Sequence, residues 1–169
     1  TKARIDQQSA KSRAAAVRLN FDFPDNLATA SAKHEVRILQ VATDCVFGGE
    51  TGGYNENSPH DAEDVYGKTK SLGEVPSDNV MHLRCSLIGP EQGRNSLFFE
   101  WVRQQALNSS VTGFTDHLWN GITSQAFGRI AKGLISENLF AAGVQHLVPA
   151  DVVTKAELVQ IELDALGRN

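Results

Sequence analysis

Two short runs of apolar and β-branched residues constrain this chain most: Val36-Arg37-Ile38-Leu39-Gln40-Val41-Ala42 and Val80-Met81-His82-Leu83-Arg84-Cys85. Each reads as a strand. Between them lie a loop rich in Gly, Asn and acids, Phe47–Asp64, and a helical stretch from Val65 to about Glu74 with Asp64 as its N-cap. A strand, a helical crossover and a second strand make a parallel pair, and such crossovers are almost always right-handed. The predicted class is therefore α/β with a parallel sheet. Helices are also expected over Gln8–Leu19, over Asn26–Lys33 behind Pro24, and over Leu97–Gln105 with Trp101 on its apolar face. Thr123–Ile135 carries Phe127, Ile130, Ala131 and Leu134 at helical spacing, and Thr154–Leu166 reads as an amphipathic closing helix. Val144–Val148 is a third short strand. Three short strands make a small sheet for a doubly wound domain, so part of a larger fold is expected.

The chain has 169 residues, 41% of them hydrophobic and 21% charged, which is enough to bury the core of one ordinary domain. Its net charge of -4 and lack of a basic run argue against nucleic acid as a partner. Apolar stretches are short and interrupted, so no membrane span is expected, and the opening TKARIDQQSAKSR has no apolar core of a signal peptide. Cys45 and Cys85 form no disulfide framework or zinc spacing, and a cytoplasmic setting is the expectation. His60-Asp61-Ala62-Glu63-Asp64 reads as a solvated face and helix cap, and His82, His117 and His146 lack ligand spacing, so no metal is expected.

The pattern richest in chemistry is Tyr66-Gly67-Lys68-Thr69-Lys70. Tyr and Lys four apart on a helix project from one face. A phenol with a pKa of about 10 is a poor acid near neutrality, and a nearby ammonium lowers that value. The pair is thus a candidate proton donor to a carbonyl, or else an ordinary Tyr and a solvated Lys on an exposed helix. Thr43 and Asp44 follow the first strand directly, where ligands of open α/β sheets bind. The Thr43 hydroxyl is placed to bond a carbonyl oxygen, or to cap its own turn.

Taken together, Thr43-Asp44-Cys45-Val46-Phe47-Gly48-Gly49, Tyr54-Asn55-Glu56-Asn57-Ser58-Pro59 and Tyr66-Gly67-Lys68-Thr69-Lys70-Ser71-Leu72-Gly73-Glu74 resemble the extended short-chain dehydrogenase/reductases, and among them the dTDP-4-dehydrorhamnose reductase family. Leu83-Arg84-Cys85-Ser86-Leu87-Ile88-Gly89, Trp119-Asn120-Gly121-Ile122-Thr123, Val144-Gln145-His146-Leu147-Val148 and Thr154-Lys155-Ala156-Glu157-Leu158 continue the likeness, which runs from Asn20 onward. It implies the C-terminal part of a doubly wound Rossmann-like parallel sheet with a small α/β substrate-binding lobe. Residues 1–92 would be the partial Rossmann-like domain. Residues 93–169 would be mainly the lobe, with a returning strand and helix.

The resemblance also implies an NAD(P)H-dependent reductase of a keto-deoxyhexose nucleotide sugar, feeding surface polysaccharide or O-antigen sugar synthesis. Tyr66 would protonate the C4 oxygen. Lys70 would lower the Tyr66 pKa and hold the nicotinamide ribose hydroxyls. Thr43 would bind the same carbonyl. Ser86, Leu87 and Ile88 would lie along the nicotinamide of NADP or NAD, and Asp44, Asn95 and Trp119 would face the nucleotide sugar. Nucleotide-sugar dehydratases usually place an acid–base Asp-Glu pair beside that Thr; here Thr43 is followed by Asp44-Cys45, which favours the reductase branch over epimerase or dehydratase chemistry.

The family opens on a strand and a Gly-rich turn that holds the pyrophosphate. No glycine precedes Gly48, and Gly48-Gly49-Glu50-Thr51-Gly52-Gly53 opens no helix, so that run reads as a flexible loop over the site. About two strand–helix units of the family, roughly 60–100 residues, are expected to be missing. Their absence would bare a sheet edge and apolar faces for a homodimer to cover. It also puts cofactor binding in doubt and keeps a second class open: a non-catalytic module like the regulatory beta subunit of methionine adenosyltransferase, which the same family resembles.

Overall fold

The computed structural model describes residues 9–90, 98–105 and 110–168. In chain order the elements are α1 (Ala10–Val17), a π-helical turn (Arg18–Asp22), α2 (Phe23–His34), β1 (Ile38–Thr43), a 3-10 turn (Asp44–Val46), α3 (Val65–Leu72) and β2 (Val80–Cys85). There follow β3 (Leu87–Ile88), α4 (Phe98–Arg103), β4 (Leu118–Trp119), β5 (Ile122–Thr123), α5 (Ser124–Ser136), β6 (Gly143–His146), β7 (Val153–Thr154) and α6 (Lys155–Ala165). The chain falls into two compact units, Thr1–Cys85 with Ala131–Leu147, and Ser86–Ile130 with Val148–Asn169. No described helix is long and apolar enough to cross a membrane.

The first unit is built on a three-stranded sheet in the order β1-β2-β6, parallel throughout, as expected for a Rossmann-like α/β fold. All six residues of the central strand β2 are buried, as in parallel strands covered on both faces. Burial of a side chain such as Leu83, 2% exposed, contributes about 1.5–3 kcal/mol. Yet His82 and Arg84 are as buried as their apolar neighbours, which no hydrophobic pattern anticipates. Among the described residues β1 pairs on one side only, with β2, and Val41 on it is 43% exposed.

Two separate N-terminal helices were the expectation; the structure joins them through the π turn. Pro24 offers no N–H to the Asn20 carbonyl four residues back. The chain widens instead, and the Phe23 N–H bonds the Arg18 carbonyl five back. This turn docks on α3. The Asn20 amide donates to Thr69 Oγ1 at 3.0 Å, and the Asn20 carbonyl lies so close to Gly73 that a Cβ there would run into it. Gly73 therefore ends α3 because only a bare backbone fits beneath the turn.

The second unit holds two small ladders, β3 parallel to β5 and β4 antiparallel to β7. Helices α4 and α6 pack together, burying Val102 fully with Leu158 and Val159. Trp101, expected on the apolar face of α4, is 41% exposed, because Val102 occupies the buried position. The amphipathic reading of α6 needs a similar correction. Ile161 is 55% exposed while Glu162 is buried beside Arg103, their charged atoms 3.4 Å apart. A capping box between Thr154 and Glu157 starts α6.

Candidate active site

Thr43 is the last residue of β1 and the N-cap of the 3-10 turn, its Oγ1 accepting from the Cys45 N–H at 3.2 Å. The turn-capping reading of this residue holds. The hydroxyl that caps its turn is also hydrogen-bonded to the Tyr66 side chain. Asp44 turns its carboxylate toward the Thr43 hydroxyl, 3.4 Å away, and the Cys45 thiol, 3.6 Å away.

Helix α3 delivers Tyr66 and Lys70 to this point. Asp64 caps it, accepting from the Gly67 N–H at 2.9 Å, and Thr69 returns its hydroxyl to the Val65 carbonyl at 2.7 Å. Gly67 lets the helix come down on the turn after β1; a Cβ there would meet the Cys45 carbonyl oxygen and the Ala62 side chain. Lys70 Nζ donates to the Val41 carbonyl at 3.2 Å, near the carboxyl end of β1. Thr43, Asp44, Tyr66 and Lys70 thus all belong to the first unit and converge at the end of one strand.

The electrostatics differ from the expected tuning. Tyr66 sits above the ordinary phenol value, chiefly through burial, with the Thr43 hydrogen bond opposing it and nearby Cys45, Asp44 and Asp64 adding to it. The ammonium four residues on does not set this value; it is turned to the β1 carbonyl. Lys70 itself is lowered by burial, against the pull of Glu74 and Cys85. The phenol is thus held in its protonated form, the form that can donate.

Ser86, Leu87, Ile88 and Trp119 belong to the second unit. Ser86 Oγ accepts from the Trp119 indole N–H at 2.8 Å, and the Ser86 carbonyl accepts from the Ile122 N–H at 2.9 Å. Leu87 and Ile88 form β3, and the Lys155 ammonium lies 5.5 Å from the centre of the Trp119 ring. Asn95 lies outside the described residues. A cavity of about 380 Å³ runs along another side of α3, against Gly67, Lys68 and Ser71, and neither Tyr66 nor Lys70 lines it.

The sequence reading missed Arg84. Its guanidinium, 3% exposed, gathers Glu74, Glu56, His60 and His146 around it. The signal was present as a charged residue inside an apolar strand.

The family profile described as the RmlD substrate binding domain matches residues 3–167. The chain belongs to this family. Among its relatives, this RmlD-type chain is 28% identical over 164 residues to the probable low-salt glycan biosynthesis reductase Agl14 of Haloferax volcanii, covering 90% of this chain and 53% of the relative. It is 31% identical over 130 residues to the dTDP-4-dehydrorhamnose reductase of Aggregatibacter actinomycetemcomitans, covering 71% of this chain and 44% of the relative. Its fold is similar to the crystal structure of the dTDP-4-dehydrorhamnose reductase from Bacillus anthracis in complex with NADP, with TM-score 0.80 and 20% identity over 96% of this chain and 59% of that one. The chain spans about half the length of the curated relatives it matches.

Proposed function

We propose that this chain carries the carbonyl-binding and proton-donating part of an NAD(P)H-dependent reductase of a keto-deoxyhexose nucleotide sugar, acting in surface polysaccharide sugar synthesis. The observation that carries the reading is the Thr43–Tyr66 hydrogen bond at the carboxyl end of β1, with Lys70 one turn along the same helix. Two hydroxyls that meet at one point can hold one carbonyl oxygen between them. Burial keeps Tyr66 protonated until that oxygen gains charge, and the phenol then gives up its proton. Lys70, on the same helix, is turned to the Val41 carbonyl and serves the cofactor rather than the phenol.

The nicotinamide cofactor supplies the hydride when bound. Within the first unit, Lys70 suits one end of it. The Lys70 ammonium has three donors for ribose hydroxyls, and Ser86, Leu87 and Ile88 offer backbone for the nicotinamide. Among the described residues no strand leads through a Gly-rich turn into a helix, so this stretch supplies no pyrophosphate cradle. NADP bound to the relative from Bacillus anthracis supports the cofactor class. Asp44, Asn95 and Trp119 are proposed substrate contacts. Because the Trp119 N–H is already bonded to Ser86, the indole has its ring rather than its N–H to offer. Two cysteines without a disulfide accord with a cytoplasmic setting.

NADPH consumption with dTDP-4-dehydrorhamnose, by the protein that contains this chain, tests the reading. Tyr66→Phe should lower kcat by roughly 10²–10⁴-fold with KM little changed. Lys70→Ala should weaken NADPH binding in calorimetry. Turnover that survives Tyr66→Phe overturns the assignment, and NADPH binding without turnover on any keto-sugar nucleotide favours a regulatory module.

A further inference from the structure

We infer that Arg84 is a positioning residue of the candidate site, a buried hub that ties the Phe47–Asp64 loop and the end of α3 to the central strand. A guanidinium has five N–H groups in a fixed planar fork. Here each has a partner. Nε donates to the Glu74 carboxylate at 2.9 Å, and Nη2 donates to Glu74 Oε2 at 2.6 Å and to His60 Nε2 at 2.6 Å. Nη1 donates to His146 Nε2 at 3.2 Å and to the Glu56 carbonyl at 3.4 Å. The Phe47 ring closes the face of the group, 5.2 Å from its carbon.

These partners are spread along the chain that builds the site. Phe47 begins the loop, Glu56 and His60 lie within it, and Glu74 follows α3 directly, one turn beyond Lys70. Glu56 also reaches β6, accepting from the His146 N–H at 2.9 Å. Helix α3 therefore hangs between two attachments to one guanidinium, and Tyr66 is positioned by both.

The geometry fixes the state of His60. Arg84 can only donate, so His60 Nε2 accepts, and its Nδ1 carries the hydrogen that Ser71 Oγ receives at 2.6 Å. His146 Nε2 accepts in the same way. Around His60 stand Arg84 from β2, Glu74 and Ser71 from the α3 end, Asp61 from the loop, the edge-on Phe47 ring, and His146 beyond Arg84. Lys68 lines the cavity beside it. Protonating His60 puts two cations 2.6 Å apart and destroys the acceptor. His60 is held below its ordinary value of 6.5, chiefly by burial, with Arg84 adding to this and Glu74 and Asp61 opposing it. A lowered folded value means the attachment is whole above pH 6.5 and is lost as pH falls through that lower value.

The inference rests on Tyr66 and Lys70 as the working pair, but its test reads the loop and the phenol rather than turnover. Hydrogen exchange would be followed at the Gly48, Ala62 and His146 amides, which are bonded across the loop. Tyr66 would be titrated by NMR of ¹³C-labelled tyrosine, which resolves it from Tyr54. His60→Gln keeps a neutral acceptor for Arg84 and a donor for Ser71; His60→Ala keeps neither. At pH 7.5 His60→Ala should speed exchange at these amides by about tenfold or more, and bring the Tyr66 phenol back toward 10.0. His60→Gln should behave as the parent there. As pH falls below 6.5 only the parent should lose protection beyond the intrinsic pH effect. Arg84→Lys, with a point charge in place of the fork, should match His60→Ala; if it does not fold, the His60 pair decides alone. Equal protection in His60→Ala and the parent, a Tyr66 titration that does not move with the loop, or His60→Gln as disruptive as His60→Ala would each overturn the inference. Any of these would leave the reductase reading to stand or fall on turnover.

Discussion

Gly67→Ala should destabilise this protein, although the same change usually stabilises a helix. In the interior of an exposed helix, Ala for Gly gains about 1 kcal/mol. At Gly67 the new methyl meets the Cys45 carbonyl oxygen and the Ala62 side chain. The first is backbone and cannot swing aside as a flexible side chain would. Overpacking of this kind costs about 1–3 kcal/mol, and a backbone obstacle places it near 3. The net expectation is a loss of about 2 kcal/mol. With a urea slope of about 2 kcal/mol per molar, the midpoint should fall by about 1 M.

The matching control is Gly133→Ala. Gly133 lies in α5, within the same unit, and a Cβ there would meet nothing within 4 Å. It should gain up to about 1 kcal/mol and raise the midpoint by about 0.5 M. Far-UV circular dichroism is the proper probe, because Trp101 and Trp119 both belong to the other unit. The reasoning predicts opposite signs for two identical chemical changes. If Gly67→Ala is as stable as the parent or more so, helix α3 does not rest on the turn after β1 as described. The Thr43–Tyr66 contact would then lose its structural basis.

Other outcomes follow from the same geometry. Asp64→Ala removes the N-cap bond to Gly67 and should cost about 1 kcal/mol in urea unfolding, most of it restored by Asp64→Asn. Cys85, 3% exposed, has its thiol pushed up to about 11 by burial, with the Asp44 charge adding and Lys70 opposing. Folded protein at pH 8 should therefore be alkylated by iodoacetamide at Cys45, which is less buried, well before Cys85; mass spectrometry of the modified peptides reads the order. Thr43→Val should shift the titration of Tyr66 upward. Without its Thr43 hydrogen bond the phenol should titrate higher than in the parent, as NMR of labelled tyrosine would show.

What the sequence made legible was local and periodic. Asp64 followed by a helical run fixed the start of α3, and the apolar runs fixed β1 and β2 to within a residue or two. The Tyr-to-Lys spacing then placed both groups on one helix face. None of that could show that Tyr66 would answer to its burial and to Thr43 rather than to Lys70, because which neighbour dominates depends on where α3 settles against β1. Arg84 makes the same point more sharply. A charged residue in an apolar strand reads locally as a solvated or edge position. Its burial becomes tolerable only when Glu56, His60, Glu74 and His146, distant along the chain, supply an acceptor for every donor. Such long-range satisfaction leaves no periodic trace. The π turn is the intermediate case: Pro24 and Asn20 signal a disturbed helix, but not that the disturbance serves as the seat for Gly73 at the end of α3. The residues hardest to read from sequence are therefore those that hold α3 in place, and it is the placement of α3, more than the presence of Tyr66 and Lys70, that sets the surroundings of both side chains.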